Sequence, residues 1–229
     1  MKVAGETGGE TGGETDVGVV VIGRNEGERL RRCLLSLAGR RVVYVDSGST
    51  DSSVALAEEM GATVAVLDAP EGFTAARARN LGAATLARSD APAFIQFVDG
   101  DCEVVDGWID AAAARLGDAP DLAAVAGRRR EVKPDATIFN RHCDMEWNTP
   151  VGPAQAVGGD ALYRRAAFEE VGGFNGAFIC GEEPELCFRL RRAGWRIERM
   201  DREMTRHDAA ITAWGQWIKR TRRSGWAAA

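Results

Sequence analysis

The chain has 229 residues, 45% of them hydrophobic and 28% charged, which is enough to bury one sizeable core in a single large domain. A net charge of −5 argues against a nucleic-acid-binding protein, and no run approaches the roughly 20 apolar residues of a membrane span. Five cysteines, an odd number without a CxxC pair, fit neither a disulfide framework nor a structural zinc site and point to a reducing cytoplasm.

The opening GETGGETGGET, Gly5 to Thr15, is glycine and acid with nothing to bury. Residues 1–16 are therefore expected to be a disordered leader, without the basic-then-apolar order of a signal peptide. Val17 to Gly23 is a continuous β-branched run, a buried strand. NEGERLRRCLLSLAG then sets Leu30, Leu34 and Leu37 at helical spacing and stops at Gly39. A second strand runs from Val42 to Gly48. STDSSVALAEEMG follows, with Ser/Thr/Asp caps and a stop at Gly61. ATVAVLD is a third strand, TAARARNLGAATLA a helix, and AFIQFVD a fourth strand. This alternation predicts an α/β fold with a mostly parallel, Rossmann-like sheet covered by helices.

In such sheets ligands sit beyond the carboxyl ends of the strands. Polar clusters fall there three times: Arg24, Asn25 and Glu26 after the first strand, Asp46, Ser47 and Gly48 after the second, Asp99, Gly100 and Asp101 after the fourth. Any one alone reads as turn chemistry. Neither GxGxxG nor GxxxxGK[ST] is present, so acids stand where phosphate-binding glycines would be expected. An acidic rim repels a polyphosphate unless a cation lies between them, and Mg2+ or Mn2+ on one or two carboxylates is the usual arrangement. A calcium loop counted from Asp99 would need glycine sixth and an acid twelfth as bidentate ligand; Val104 occupies the sixth place.

Six blocks in order resemble the family 2 glycosyltransferases, inverting enzymes of GT-A fold that use nucleotide-diphosphate sugars. They are VVVIGRNEGERLRRCLLSL, VVYVDSGSTDSS, ARARNLGAA, FVDGDCEV as the DXD motif, GGDALYRRAAFEEVGGFN and GEEPELCFRLRRAGW, within a likeness that runs from about Val17 to His207. The resemblance implies a single GT-A domain over 17–208, a nucleotide-diphosphate sugar donor, and a glycan or lipid-linked acceptor. Asp101 would be the direct metal ligand for Mn2+ or Mg2+, with Asp99 near the ribose and metal shell, and His207 completing the site. Glu183 aligns with the general base and Glu182 is its neighbour in an acid pair at the start of a helix whose Leu186, Leu190 and Ala193 form a buried face. Asp46 and Glu26, with Arg24 beside them, would meet base and ribose, although the family's second acid of that turn is Ser47 here. Arg77 or Arg79 would face the pyrophosphate. Gly158, Gly159 and Asp160 would form the loop against which the donor sugar packs.

Two other readings share parts of this pattern. A sugar-1-phosphate nucleotidyltransferase uses the same acid–metal–phosphate logic but is expected to carry a glycine-rich basic loop after the first strand, which IGRNEGERL lacks. A non-catalytic nucleotide- or carbohydrate-binding module would keep the fold without turnover; Asp99, Asp101 and Glu183 are all present. Asp135 to Pro150 has no clear period and reads as an acceptor-side insertion. From Arg189 to Arg223 there are eleven Lys/Arg and four Asp/Glu, net +7, leaving −12 elsewhere. Within it, residues 209–229 suggest an amphipathic basic helix with Ile211, Trp214, Trp217 and Ile218 on one face. That helix either docks on the domain or makes a peripheral contact with an anionic membrane at its inner face.

Overall fold

A computed structural model describes residues 16–68, 72–88 and 90–226, with side chains to 222; the leader up to residue 15 lies outside the described residues. Four parallel strands, β1 (Val17–Gly23), β2 (Arg41–Asp46), β3 (Thr63–Val66) and β4 (Phe94–Asp99), alternate with α1 (Glu28–Ser36), α2 (Ser53–Glu59) and α3 (Ala75–Leu86). The second half adds β5 (Cys102–Val104), α4 (Trp108–Asp118), β6 (Leu122–Glu131), α5 (Ile138–Trp147), β7 (Gly152–Pro153), β8 (Ala161–Arg164), α6 (Arg165–Glu170), α7 (Glu182–Arg192), β9 (Arg196–His207) and α8 (Trp214–Trp226). The strand order is β3-β2-β1-β4-β8-β6-β9-β5, with β7 against β9.

The expected parallel character therefore holds for the first half only. β8 runs antiparallel to β4 and β6, and β5 and β7 run antiparallel to β9. The strand order turns back between β1 and β4, so the crevice that such sheets use for ligands opens beyond Gly23 and Asp99.

Val19, Val20 and Val21 are all fully buried, so β1 is covered on both faces, as a β-branched run without alternation predicts. Burying each such side chain contributes roughly 1.5–3 kcal/mol. α3 comes close enough to β1 that a methyl group on Gly82 would lie 2.2 Å from a Val20 methyl, which reserves that position for glycine. Phe97 on β4 gathers Tyr163, Phe168 and Phe174 at centroid distances of 5.7, 5.5 and 5.4 Å, tying the parallel half to the mixed half. Trp108 and Gln96 are buried polar groups that satisfy one another: the indole N–H donates to Gln96 Oε1 at 3.0 Å.

Three local expectations are corrected. Residues 138–147 of the segment without apparent period are a helix, capped by the Thr137 hydroxyl, which accepts from the Asn140 amide at 3.0 Å. On α7, Leu186 and Leu190 are buried but Ala193 is the exposed C-cap, and Cys187 takes its place in the buried face. α8 begins at Trp214, after Ile211, so Ile211 docks from the preceding loop. The helix packs on α5: Phe139 lies 5.0 Å from Trp214 and 5.4 Å from Trp217, and Ile211 is buried beside them. Trp214 and Ile218 stay largely exposed. No helix among the described residues is long and apolar enough to cross a membrane.

Candidate active site

The turn Asp99-Gly100-Asp101 closes the carboxyl end of β4, where the Gly100 amide donates to Ile22 O at 2.8 Å. β5 then pairs with β9 so that Cys102 stands opposite His207. This register brings His207 Nε2 to 3.1 Å from Asp101 Oδ2, although the two are far apart in sequence. Asp101, Cys102 and His207 offer three ligand atoms within 4.8 Å of one another. Burial raises the Asp101 pKa, but the hydrogen bond and charge of His207, with Arg129 and Arg29, outweigh it and hold the carboxyl down to about 2. The Nδ1 of His207 is buried without a partner among the described residues.

Asp99 turns the other way. Its Oδ1 accepts from Arg79 at 2.9 Å, its Oδ2 lies 3.4 Å from Arg129, and its amide donates to Asp160 Oδ1 at 3.0 Å. Asp160 is fully buried, paired with Arg129 at 2.7 Å and accepting from the Thr205 hydroxyl at 2.8 Å. Burial opposes ionisation of Asp160, yet Arg129, the Asp99 amide and the Thr205 hydroxyl keep its carboxyl below the usual range. Asp160 thus braces the DXD turn through Oδ1, while its Oδ2 is taken by Arg129 and Thr205.

Arg79 is the hub of the second half of the site. It is 2% exposed, and its guanidinium reaches Asp99 at 2.9 Å, Glu182 at 2.9 Å and Glu183 at 3.4 Å. A methyl group on Gly159 would lie 2.1 Å from this guanidinium, so the loop at 158–160 passes so close to Arg79 that only glycine fits. α7 presents both acids in its first turn behind Gly181, whose φ of +80° suits glycine. Glu182 is buried against Arg79, whereas the Glu183 side chain keeps 20% exposure and faces a cavity. Burial foremost, with Glu182 and Asp99, pushes the Glu183 carboxyl above its ordinary value, against the pull of Arg79.

Two cavities meet at Asp99. One, about 390 Å³, is walled by Gly23, Arg24, Glu26, Ser47, Phe73 and the DXD turn. Arg24 lies over the Phe73 ring at 5.1 Å, and Glu26 pairs with Arg29 at 2.7 Å. Burial first, and then the charge of Asp101, raise the Glu26 pKa. The other cavity, about 250 Å³, is walled by Asp99, Arg129, Trp147, Gly159, Glu183 and Arg199, among others.

The structure thus brings Asp101 and His207 together, and separately Asp99, Glu182, Glu183, Asp160 and Gly159 around Arg79 and Arg129. Asp46 lies under its turn instead of in the cleft wall: its Oδ2 accepts from the Gly48 and Ser49 amides at 2.9 and 2.8 Å. Arg77 donates to Gly72 O at 2.7 Å, and Arg79 points inward, so among the described residues neither lines the cleft beside the DXD turn. Sequence reasoning missed Arg129, Trp147 and Phe73. The run Arg128 to Arg130 carried one signal: on a strand the middle residue faces opposite to its neighbours, and Arg129 faces inward.

A mixed sheet with an acidic turn at its switch point and an acid pair across the crevice defines a GT-A glycosyltransferase fold. A mannosyltransferase from Pyrobaculum calidifontis, solved with GDP-Man and Mn2+, superposes with a TM-score of 0.66 at 19% identity, covering 91% of this chain and 60% of that one. GalNAc-T7, solved with UDP, GalNAc and Mn2+, gives 0.62 at 17% identity over 90% of this chain and 47% of that one. The family model described as "Glycosyl transferase family 2" matches residues 18–172, and the chain belongs to that family. The pre-mycofactocin glycosyltransferase of Mycobacterium tuberculosis is 32% identical over 218 residues, 90% of this chain. The chain spans 45% of that relative's length.

Proposed function

We propose that this glycosyltransferase moves a sugar from a nucleotide-diphosphate sugar to a hydroxyl of a glycan or lipid-linked acceptor, with inversion at the anomeric carbon. The observation that carries this reading is the place of Asp99 in the walls of both cavities. A nucleotide lying in the Arg24–Glu26–Phe73 cleft would direct its sugar across Asp99 toward Glu183. Phe73, 42% exposed, offers a ring face for a base.

In this reading Glu183 takes the proton of the acceptor hydroxyl while that oxygen forms the new bond to the anomeric carbon. The bond to the diphosphate oxygen breaks on the opposite face, and its electron pair leaves with the diphosphate. A base whose pKa is raised toward the working pH accepts a proton more readily, and such a group typically contributes about 10²–10⁴-fold. Glu182, buried against Arg79, serves as the fixed counterion that holds the guanidinium in place. Asp101, with His207, would hold Mn2+ or Mg2+, while Asp99 stays turned to Arg79 and Arg129. Carboxylate oxygens with one imidazole suit such an ion, and the close Asp101–His207 pair already brings two of these donors together. When bound, the ion supplies Lewis-acid neutralisation of the diphosphate charge.

The test is thermal stabilisation by a panel of nucleoside diphosphates with and without Mn2+. A ligand at a hundred times its Kd adds about 2.7 kcal/mol to stability. Asp101→Ala is expected to remove the Mn2+-dependent part; a folded variant with that part unchanged would refute the assignment.

A further inference from the structure

Arg199 lies on β9 with β6 on one side and β7 on the other, opposite Ala126 and Gly152. Its half-buried side chain helps wall the cavity that holds Glu183. Its guanidinium donates to the Thr149 hydroxyl, and its Nε is buried without a partner. Arg79 and Arg129, in the same site, each meet at least two carboxylates. Arg199 has no carboxylate partner among the described residues: the neighbouring acids Glu198 and Asp201 pair with Arg115 and Arg128. Burial first, and then the charge of Arg128, disfavour its charged form, and no nearby acid compensates. A guanidinium stays protonated even so. A half-buried cation facing a cavity with unused donors is a receptor for an anion.

We propose that Arg199 binds a carboxylate carried by the sugar or acceptor that enters the Glu183 cavity, making this enzyme selective for an acidic sugar such as a uronate. The cavity wall also holds Asp99, Glu146, Glu183 and Asp160, the last paired with Arg129. A singly charged carboxylate is repelled less by these acids than a phosphate of −1.5 to −2 would be, and its two oxygens match the guanidinium fork. The proposal rests on the reading that this cavity receives sugar, but its test uses binding without turnover, so an error in the role of Glu183 leaves it untouched.

Ligand-observed NMR on the full chain with Mg2+ would compare methyl β-glucuronide with methyl β-glucoside, and UDP-glucuronate with UDP-glucose. The first pair reports a carboxylate on the acceptor and the second a carboxylate on the transferred sugar. Charge-assisted bonds predict a preference of roughly tenfold to a hundredfold for the acidic member of at least one pair. Arg199→Gln is expected to abolish that preference and Arg199→Lys to keep part of it, with nucleoside-diphosphate affinity unchanged in both as the check on folding. No preference in the wild type would overturn the proposal without need of a variant. So would a preference that survives Arg199→Gln, or tighter binding of glucose 6-phosphate than of the glucuronide.

Discussion

Replacing Arg79 by methionine would remove a cation shared by Asp99, Glu182 and Glu183 while keeping most of the side-chain volume. Arg79 and Glu182 have side-chain exposures of 3% and 6%, so water cannot take over the lost contacts. Removing one member of a buried pair typically costs about 3–5 kcal/mol, because the remaining charge is left uncompensated. Two further acids face the same guanidinium, at 2.9 and 3.4 Å, which places the expected loss at the upper end of that range. For a domain of this size each kcal/mol moves the melting temperature by about 2–4 °C, so a fall on the order of 15 °C at pH 7 is expected. Arg79→Lys keeps the charge but not the fork that reaches several carboxylates at once, and should fall between. The assay is thermal and urea unfolding of the three proteins. A loss of under about 1 kcal/mol for Arg79→Met would refute the claim that this network holds α7 and the DXD turn together.

Two other outcomes follow from the same geometry. The raised pKa of Glu183 means that the folded state takes up a proton which the unfolded chain, near its ordinary 4.5, has released. Its contribution to stability is therefore complete below pH 4.5 and declines as pH rises toward the folded value. Glu183→Gln should flatten that decline, so its stability relative to wild type improves between pH 4 and pH 7 in urea titrations; a constant difference would contradict the burial argument. On α8, Trp217 is engaged with Phe139 while Lys219 and Arg222 are exposed. With each nearby cation adding about 1 kcal/mol on anionic lipid, replacing Lys219 and Arg222 by Gln should reduce cosedimentation with anionic vesicles. Equal binding to anionic and neutral vesicles, or to neither, would leave the helix as packing alone.

The first half of the fold was legible because its information is local. Val19 to Val21 announce a strand covered on both faces, and Leu30 and Leu34 a helix, without reference to distant chain. The acids of the rim were legible as a set, since strand ends converge on one edge of a parallel sheet. What stayed hidden depends on pairings between distant segments. The approach of His207 to Asp101, implied by the family resemblance and by no local pattern, needs the β5–β9 register, and the inward turn of Arg79 needs α7 to present Glu182. Arg129 and Arg199 lie on strands of the mixed half, where no helix alternation marks the boundaries. α5 was missed because only Phe139, Asn140 and Cys143 of its face are buried, too few for a visible period.

The central claim, that Glu183 is the base beside a donor held at the DXD turn, is tested most directly by hydrolysis of nucleotide-diphosphate sugars with Mn2+. Wild type, Glu183→Gln and Glu182→Gln would be compared in turnover and in donor affinity. The account predicts a loss of about 10²–10⁴-fold in turnover for Glu183→Gln with donor affinity retained, the pattern of an interaction needed only in the transition state. Full turnover in Glu183→Gln together with its loss in Glu182→Gln would contradict it and exchange the two roles.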